Sequence, residues 1–343
     1  MHNKQRLIVK YLILVVLTSS FLALSLSTSI FDKTNYPHNN QEVKITIPQG
    51  SYLSQIADSL YGNNLIENRI TFILAALITN KSRSMKSGRY VLNQGLSNVG
   101  ILREMESTNM EDVIVTIPEG LRSDEIISML CRKIDVDSLE LVQLLEDSVL
   151  LNPFGKSLHH LEGTLFPDTY NFIKGTSPRI VFEKLTNRFL SQLPKDWKQK
   201  SEALGLNLNQ ILTLASLVEK ETAKSDERRL VAGVYLNRVR ADMHLNADPT
   251  LIYMLIKRDE WDGNLQKRHK KIRDPYNTYR YRGLPPGPIA SPGRASIEAV
   301  LNPENTQFLY FVGKNDGSGE HDFSETLRQH INKVNRYQKR KSQ

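Results

Sequence analysis

The chain has 343 residues, of which 40% are hydrophobic and 24% charged, a composition typical of folded domains and not of a disordered chain; its length predicts about two domains. The formal net charge of +8 suits a nucleic acid, an anionic surface or an acidic polymer without choosing among them. The single cysteine, Cys131, excludes an intramolecular disulfide, a multi-cysteine zinc site and a CxxC redox centre.

The N-terminal segment predicts export of the rest of the chain. Residues 11–31 (YLILVVLTSSFLALSLSTSIF) carry no charge, and at about 1.5 Å per residue they span roughly 30 Å, the thickness of a bilayer's hydrocarbon core. Three basic residues precede them: Lys4, Arg6 and Lys10. The positive-inside rule therefore predicts a cytoplasmic segment over residues 1–10 and a transmembrane helix over 11–31. A cleaved signal peptide is the alternative, and it also exports the body of the protein.

Residues 32–42 are polar and predict a linker, and an internal repeat follows it. Val43–Leu60 and Val113–Leu130 align with a constant offset of 70 residues. Each copy predicts a strand, a Pro-x-Gly turn and a helix, because proline cannot donate to a strand ladder and glycine permits a positive φ. We expect Ser51 or Ser54 to cap the first helix, and Ser123 or Asp124 to cap the second.

Residues 43–108 predict a small α+β unit. A short strand lies between Gly88 and Gly95, and a helix is predicted over Asn98–Glu106. The strand–turn–helix–strand pattern resembles a LysM-like module, a type that lies against glycan strands. A purely structural scaffold is the alternative interpretation of the same pattern.

Residues 109–343 predict a larger α+β domain. Apolar periodicity predicts the following helices: Ser138–Leu151, Pro178–Leu193, Leu208–Thr222, Asp226–Arg240 with Ser225 as N-cap, and Glu325–Arg340. Phe308–Gly313 (FLYFVG) predicts a buried strand. The overall fold class is therefore α+β, with a transmembrane helix and a small unit preceding the larger domain.

Carboxylates are the candidate catalytic groups of the larger domain. The chain contains no GxxxxGK[ST], HExxH, GxSxG or SxxK motif, and nothing in it predicts a metal or cofactor site. In the segment ILTLASLVEKET, Glu219 and Glu221 fall on opposite edges of a broad apolar helix face. A carboxyl group beside apolar neighbours has a raised pKa, which suits a general acid. The helical wheel does not distinguish the two residues, and a solvated edge is the alternative for both.

Four clusters of polar, aromatic, glycine and proline residues accompany this helix. They are LEGTLFPDTY (161–170), ADPT (247–250), YNTY with GLPPGPIASPG (276–279 and 283–293), and HDFS (321–324). Aromatic rings beside fixed hydrogen-bonding groups are what a sugar polymer requires of a binding site. The clusters therefore predict a carbohydrate-binding surface around the helix.

Taken in order, LEGTLFPDTY, LASLVEKET, NADPTLIY, YNTY with GLPPGPIASPG, and FLYFV with HDFS closely resemble the endolytic murein transglycosylases, the YceG-like family. The resemblance implies a single-pass inner-membrane enzyme whose catalytic domain lies outside the cytoplasm and cuts within peptidoglycan glycan strands. It implies a LysM-like unit before the catalytic domain and penicillin-binding protein synthases as partners. Glu320, before His321, departs from the small residue expected there.

The resemblance also implies roles for individual residues. The first glutamate of the E-K-E-T segment, Glu219, is expected to be the catalytic acid and base. Four residues are expected to bind substrate: Asp248, Tyr276, Asn277 and Thr278. Glu162 and Asp168 are expected to be structural, through pairing with backbone donors or basic neighbours.

Two other functions fit parts of this pattern. A non-catalytic glycan-binding scaffold of the cell-wall synthesis machinery would use the LysM-like unit and would leave Glu219 as an edge charge. A muramidase would use water and leave reducing ends. A nucleic-acid partner is disfavoured, because the basic residues are dispersed apart from KRHKKIR (267–273) and the tail, and because the chain is exported.

Overall fold

The computed structural model describes residues 41–338, apart from 49, 83–84, 86–87 and 108–111, together with residues 11, 13–21, 25, 27–28 and 35. The predicted cytoplasmic segment 1–10 and most of the predicted linker lie outside the described residues. The described part of segment 11–31 is helical. Among the described residues, no helix combines the length and apolar character that crossing a membrane requires.

The chain divides into two compact units, and the first comprises Met1–Val113 with Phe172–Ser177. Its elements are β1 (Glu42–Ile47), α1 (Leu53–Gly62), α2 (Arg69–Ile78), β2 (Gly88–Asn93) and α3 (Asn98–Ser107). β1 and β2 pair antiparallel, with Ile45 opposite Tyr90. The inward residues of both strands join the helices in one apolar core, in which Leu60, Phe72 and Leu92 are fully buried.

The second unit comprises Ile114–Asn171 and Pro178–Gln343. The remaining strands are β3 (Asp112–Thr116), β4 (Thr169–Ile173), β5 (Tyr310–Gly313) and β6 (His321–Ser324). The remaining helices are α4 (Ser123–Ile134), α5 (Ser138–Leu144), α6 (Ser148–Leu151), α7 (Pro178–Gln192), α8 (Trp197–Leu204), α9 (Leu208–Glu221), α10 (Arg228–Arg240), α11 (Asp248–Lys257), α12 (Arg294–Leu301) and α13 (Leu327–Gln338). β3 pairs with β4, and β5 pairs antiparallel with β6. The mixed α+β class predicted from the sequence is confirmed.

Both copies of the internal repeat form the predicted strand, turn and helix, as β1 with α1 and as β3 with α4. The turn glycines Gly50 and Gly120 have φ of +81° and +76°, as the Pro-x-Gly pattern predicts. The predicted caps are wrong. The helices start after Tyr52 and Arg122, whose backbone N–H groups donate to the side chains of Gln55 and Glu125 one turn later.

Two of the predicted helices differ from the structure for reasons that individual side chains show. The helix predicted over Ser138–Leu151 is broken, because the Asp147 carboxylate accepts hydrogen bonds from Val149 N and Leu150 N at 3.0 Å and starts the new helix α6. The helix predicted from Asp226 begins at Arg228, and its N-cap is Glu227 instead of Ser225. The Glu227 side chain does not cap the helix because it binds His321.

Helix α9 is the centre of the second unit. It packs against α10, α11 and α12, and every residue from Ile211 to Val218 is buried. The sequence predicted one broad apolar face, whereas the structure buries the helix on all sides, including Thr213 and Ser216. Polar groups in such a helix need partners within the protein.

The proline-rich loop Gly283–Gly293 runs along α9 and is hydrogen-bonded to it at three points. Asn209 Nδ2 donates to Pro286 O at 2.8 Å, and Ser216 Oγ accepts from Ile289 N at 3.0 Å. Glu219 Oε2 accepts from Gly293 N at 3.0 Å. The loop is therefore fixed along about 15 Å of the helix.

The repeat offers a paired test of the two cores. Leu60 and Leu130 occupy equivalent positions in the two copies, and both are fully buried. We expect Leu60→Ala and Leu130→Ala each to lower the free energy of unfolding by about 2–5 kcal/mol, through lost burial and the cavity left behind. Leu139→Ala, at a position that is 72% exposed, is the control with an expected loss below about 0.5 kcal/mol. Denaturant titration measures all three, and a small loss at either buried leucine would contradict the described packing.

Candidate active site

The C-terminal end of α9 opens into a cavity of about 450 Å³. We call it the Glu221 cavity, and the side chains that define it are Glu221, Tyr235, Arg238, Asp248, Tyr279, Tyr310 and His321. They come from α9, α10, α11, the YNTY segment and the β5–β6 hairpin. The cavity thus combines two carboxyl groups, a guanidinium and three phenol rings within the second unit.

Glu221 is the last residue of α9 and lines this cavity. Its Oε2 accepts a hydrogen bond of 3.1 Å from the Tyr235 hydroxyl, and within the described residues no hydrogen bond engages its Oε1. Burial raises the pKa of the Glu221 carboxyl, and this is the largest effect. The Tyr235 hydrogen bond and the charge of His321 lower that pKa by less, and the negative charge of Asp248 makes a still smaller raising contribution. The negative end of the helix dipole also disfavours a charge there. Glu221 is therefore a carboxyl group that holds its proton at a higher pH than an ordinary glutamate.

Asp248 and Arg238 also line this cavity, and fixed partners hold both side chains. Asp248 Oδ1 accepts a hydrogen bond of 2.7 Å from the Tyr279 hydroxyl. Arg238 is buried and donates from Nε to Leu309 O and from Nη1 to Leu245 O, each at 2.6 Å. Its guanidinium also lies 5.3 Å from the centre of the Tyr310 ring. These contacts fix the α11 start and the hairpin on either side of Glu221.

His321 closes the cavity from the hairpin. Its backbone N donates to Glu227 Oε1 and its Nδ1 lies 2.7 Å from Glu227 Oε2. Thr222, directly after Glu221, contacts the same carboxylate through Oγ1 at 3.3 Å. Glu320, the residue that departs from the family pattern, turns away and pairs with Lys314 at 2.6 Å. His321 is therefore oriented without any contribution from the Glu320 carboxylate.

Glu219 lies on the other side of α9, because two residues correspond to about 200° around a helix. Its side chain is 8% exposed. One oxygen accepts from Gly293 N, and the other lies 3.8 Å from Arg228 Nη2. Arg228 Nη2 lies 4.0 Å from Glu119, whose pKa is raised by burial and by the charge of Glu219. These contacts hold Glu219 between the Gly283–Gly293 loop and Arg228. Its expected role as the catalytic acid stays a prediction.

The predicted substrate-binding residues fall in three different environments. Asp248 lines the Glu221 cavity, as described above, and Tyr276 lines a second cavity of the same unit. Asn277 is completely buried, and its Nδ2 donates to three backbone carbonyls: His269 O, Lys270 O and Ile272 O. Thr278 is also buried, and its Oγ1 contacts Ala247 N and Thr250 Oγ1. The side chains of Asn277 and Thr278 are thus engaged inside the protein, and the expectation that they bind substrate stays a prediction.

Comparison with known proteins identifies the family. The model of the YceG-like family matches residues 45–336 of this chain. The chain belongs to the YceG-like family. An endolytic murein transglycosylase of Bacillus subtilis (strain 168) is 30% identical over 313 residues, covering 86% of this chain and 84% of that one. Its counterpart in Streptococcus pneumoniae serotype 2 (strain D39) is 27% identical over 336 residues, covering 86% of this chain and 59% of the relative.

A solved structure agrees with this assignment. The crystal structure of a YceG-like protein from Listeria monocytogenes superimposes with a TM-score of 0.57 at 28% identity, covering 85% of this chain and 99% of that one. The family resemblance inferred from the five motifs is therefore confirmed.

Two further carboxylates of this YceG-like chain have the structural roles that the sequence predicted. Glu162 is buried and accepts hydrogen bonds from Ser123 N at 2.9 Å and Ser123 Oγ at 2.8 Å. Asp168 accepts from Thr169 N at 2.7 Å and from Arg188 Nε at 2.6 Å. Among the described residues, no group of three or more His, Cys, Asp or Glu side chains could hold a metal ion.

Sequence reasoning missed Tyr235 and Arg238. Both continue the apolar stripe of α10 at the spacing Val231, Val234, Tyr235, Arg238. An arginine on an otherwise apolar stripe is a detectable signal, because a buried cation requires partners. No comparable signal in the sequence marks Tyr310 as a cavity residue, because an aromatic residue in a strand is ordinarily a core residue.

The loop residue Asn277 offers a test of whether its side chain stabilises the fold or binds substrate. We expect Asn277→Ala to lower the free energy of unfolding by about 1–3 kcal/mol, because it leaves buried carbonyl groups without donors. Thermal unfolding measures the loss, with Asn264→Ala at an exposed position as the control. Unchanged stability combined with weaker glycan binding would instead indicate direct substrate contact by Asn277.

Proposed function

We propose that this protein is a membrane-anchored lytic transglycosylase that cuts the bond between N-acetylmuramic acid and N-acetylglucosamine within peptidoglycan glycan strands. Its membership of the YceG-like family and its murein transglycosylase relatives support the reaction class. The observation that carries the site assignment is the carboxyl group of Glu221, which has a raised pKa and lines an aromatic, polar cavity. We therefore propose Glu221 as the acid and base, with Glu219, the residue that the family resemblance implies, as the alternative.

The reaction requires one group that first donates and then accepts a proton. Protonated Glu221 donates to the glycosidic oxygen, and the C1–O bond breaks as positive charge develops at C1 of the muramyl residue. The C6 hydroxyl of the same residue attacks C1, and the ionised Glu221 takes the proton from that hydroxyl. The products are a 1,6-anhydromuramyl end and a new N-acetylglucosamine end, with no water consumed.

The arrangement around Glu221 suits this sequence of steps. Hydrolytic glycosidases need a second carboxylate to attack C1 or to activate water, whereas an internal hydroxyl needs only a base. Asp248 is fixed by Tyr279 at 2.7 Å, and its negative charge raises the pKa of Glu221. The same charge would stabilise the positive charge that develops at C1. We assign Asp248 to substrate binding and charge stabilisation.

The location and partners of the protein form part of the proposal. The uncharged segment 11–31, preceded by three basic residues, supports a single pass through the inner membrane with the N-terminus in the cytoplasm and the catalytic domain on the periplasmic side. The strand–helix–helix–strand order of the first unit supports a LysM-like module over residues 43–108. The division between the two units near residue 113 supports a catalytic domain over 109–343. Cleavage there would limit glycan elongation, with penicillin-binding protein synthases as the natural partners.

The two glutamates at the end of α9 provide a matched pair of variants. We expect Glu221→Gln to abolish cleavage, because the amide of glutamine is far too weak an acid to protonate the glycosidic oxygen. We expect Glu219→Gln to keep most of the activity, because the amide oxygen still accepts from Gly293 N. Mass spectrometry of products from purified glycan strands measures the anhydro ends. Circular dichroism checks that both variants are folded.

The same assay decides among the alternatives. Full activity of Glu221→Gln with loss in Glu219→Gln would return the catalytic role to Glu219. Products heavier by one water, with reducing ends, would indicate a muramidase. Binding of glycan strands by the unmodified chain without any cleavage would indicate a scaffold.

The raised pKa of Glu221 also predicts a pH dependence. Cleavage needs the protonated acid, so kcat falls as the pH rises through the pKa of Glu221. Asp248 raises that pKa, and Asp248→Asn is therefore expected to move the alkaline limb to lower pH. The measurement is kcat against pH at saturating substrate, with the exposed Asp259→Asn as the control. An alkaline limb that stays in place in Asp248→Asn would contradict the electrostatic coupling of Asp248 to the titrating acid.

A further inference from the structure

The second unit contains another cavity, of about 590 Å³. We call it the tyrosine cavity, and the side chains that define it here are His160, Tyr253, Met254, Lys257, Tyr276 and Pro286. It is more apolar than the Glu221 cavity and contains neither Glu219 nor Glu221. The proposed reaction therefore makes no use of it.

An aromatic wall and one ammonium group characterise this cavity. The rings of Tyr253 and Tyr276 lie 4.8 Å apart between centroids. Lys257 Nζ lies 5.5 Å from the centre of the Tyr253 ring. Aromatic rings beside hydrogen-bonding groups bind the apolar faces of sugars, and an ammonium group binds carboxylates.

The other charged groups of the cavity already have partners. Glu162 accepts from Ser123 N, from Ser123 Oγ and from the Tyr253 hydroxyl. Arg258 pairs with Glu260 at 2.8 Å, and Asp274 Oδ1 accepts from Tyr276 N at 2.9 Å. Lys257 is exposed, and within the described residues it forms no ion pair. Its charge is therefore available to an anionic ligand.

Two elements connect the tyrosine cavity to the Glu221 cavity. Helix α11 begins with Asp248 at the Glu221 cavity and ends with Lys257 at the tyrosine cavity, a length of about 15 Å. The YNTY segment likewise places Tyr279 in the first cavity and Tyr276 in the second. The buried Asn277 and Thr278 between them fix both tyrosines. The two cavities are therefore held at a constant separation of several sugar rings.

We propose that the tyrosine cavity is a remote subsite that binds a carboxylate-bearing sugar of the same glycan strand, with Lys257 on the carboxylate and Tyr276 against the sugar ring. This inference rests on the proposed function, since a strand cut at an internal bond extends beyond the cleavage site. The carboxylate is either the lactyl group of N-acetylmuramic acid or a carboxyl group of its attached peptide. The subsite selects strands long enough to fill both cavities.

The test measures binding separately from cleavage. In the full-length Glu221→Gln protein, we expect Lys257→Glu to weaken binding of long glycan strands about tenfold, through loss of attraction and added repulsion. We expect Lys257→Arg to bind like its parent. Lys267→Glu makes the same charge change at an exposed position outside both cavities and is the control. The difference should shrink at high salt.

Substrate length and peptide content separate the remaining outcomes. In the active chain, which keeps Glu221, Lys257→Glu should cleave disaccharide fragments with the same kcat/KM as its parent, because such fragments fill only one cavity. The kcat/KM of Lys257→Glu on long strands should fall. An effect limited to peptide-bearing strands identifies the peptide carboxylate, and an equal effect on strands without peptides identifies the lactyl carboxylate. Long-strand binding by Lys257→Glu as tight as by its parent would overturn the subsite. That result would leave the role of Glu221 intact, because cleavage by the Glu221→Gln protein is a separate measurement.

Discussion

The burial of helix α9 on all sides is the constraint on which the second unit depends. A helix without a solvated face can carry polar side chains only where the protein supplies partners for them. Asn209, Ser216 and Glu219 meet this requirement by binding the backbone of the Gly283–Gly293 loop. The loop is thereby ordered along the helix, and the polar residues of α9 act as its attachment points.

The end of the same helix separates two carboxyl groups that are only two residues apart in the sequence. Glu219 accepts a hydrogen bond from a backbone N–H and lies near the Arg228 guanidinium. Glu221 faces a cavity, accepts one phenol hydrogen bond, and has a raised pKa because it is buried. A carboxylate held by fixed partners suits a structural role, whereas a carboxyl group with a raised pKa in an open cavity suits proton transfer. This contrast is the physical basis for proposing Glu221 as the acid.

The YNTY segment shows how one short loop can serve two cavities. Its inner residues, Asn277 and Thr278, are bound to backbone and threonine groups inside the protein. Its outer residues, Tyr276 and Tyr279, line different cavities at the two ends of α11. A rigid connection of this kind suits a polymer, because a strand that fills one cavity is presented to the other at a fixed distance. The polar inner residues are needed for this rigidity, although they do not line either cavity.

Local sequence patterns alone determined the mixed α+β class, the two copies of the strand–turn–helix repeat, the existence of α9 and the set of motifs that surrounds it. These features depend on periodicity, on turn residues and on the order of motifs, which are properties of neighbouring residues. Only the tertiary structure decided the different surroundings of Glu219 and Glu221 and the division of Asp248, Tyr276, Asn277 and Thr278 among three environments. The partners that distinguish the two glutamates are Gly293 and Arg228 for one, and Tyr235 with the Asp248 charge for the other. Because burial and hydrogen bonding set a carboxyl group's pKa, and because these partners come from other segments of the chain, a helical wheel of α9 could not separate them.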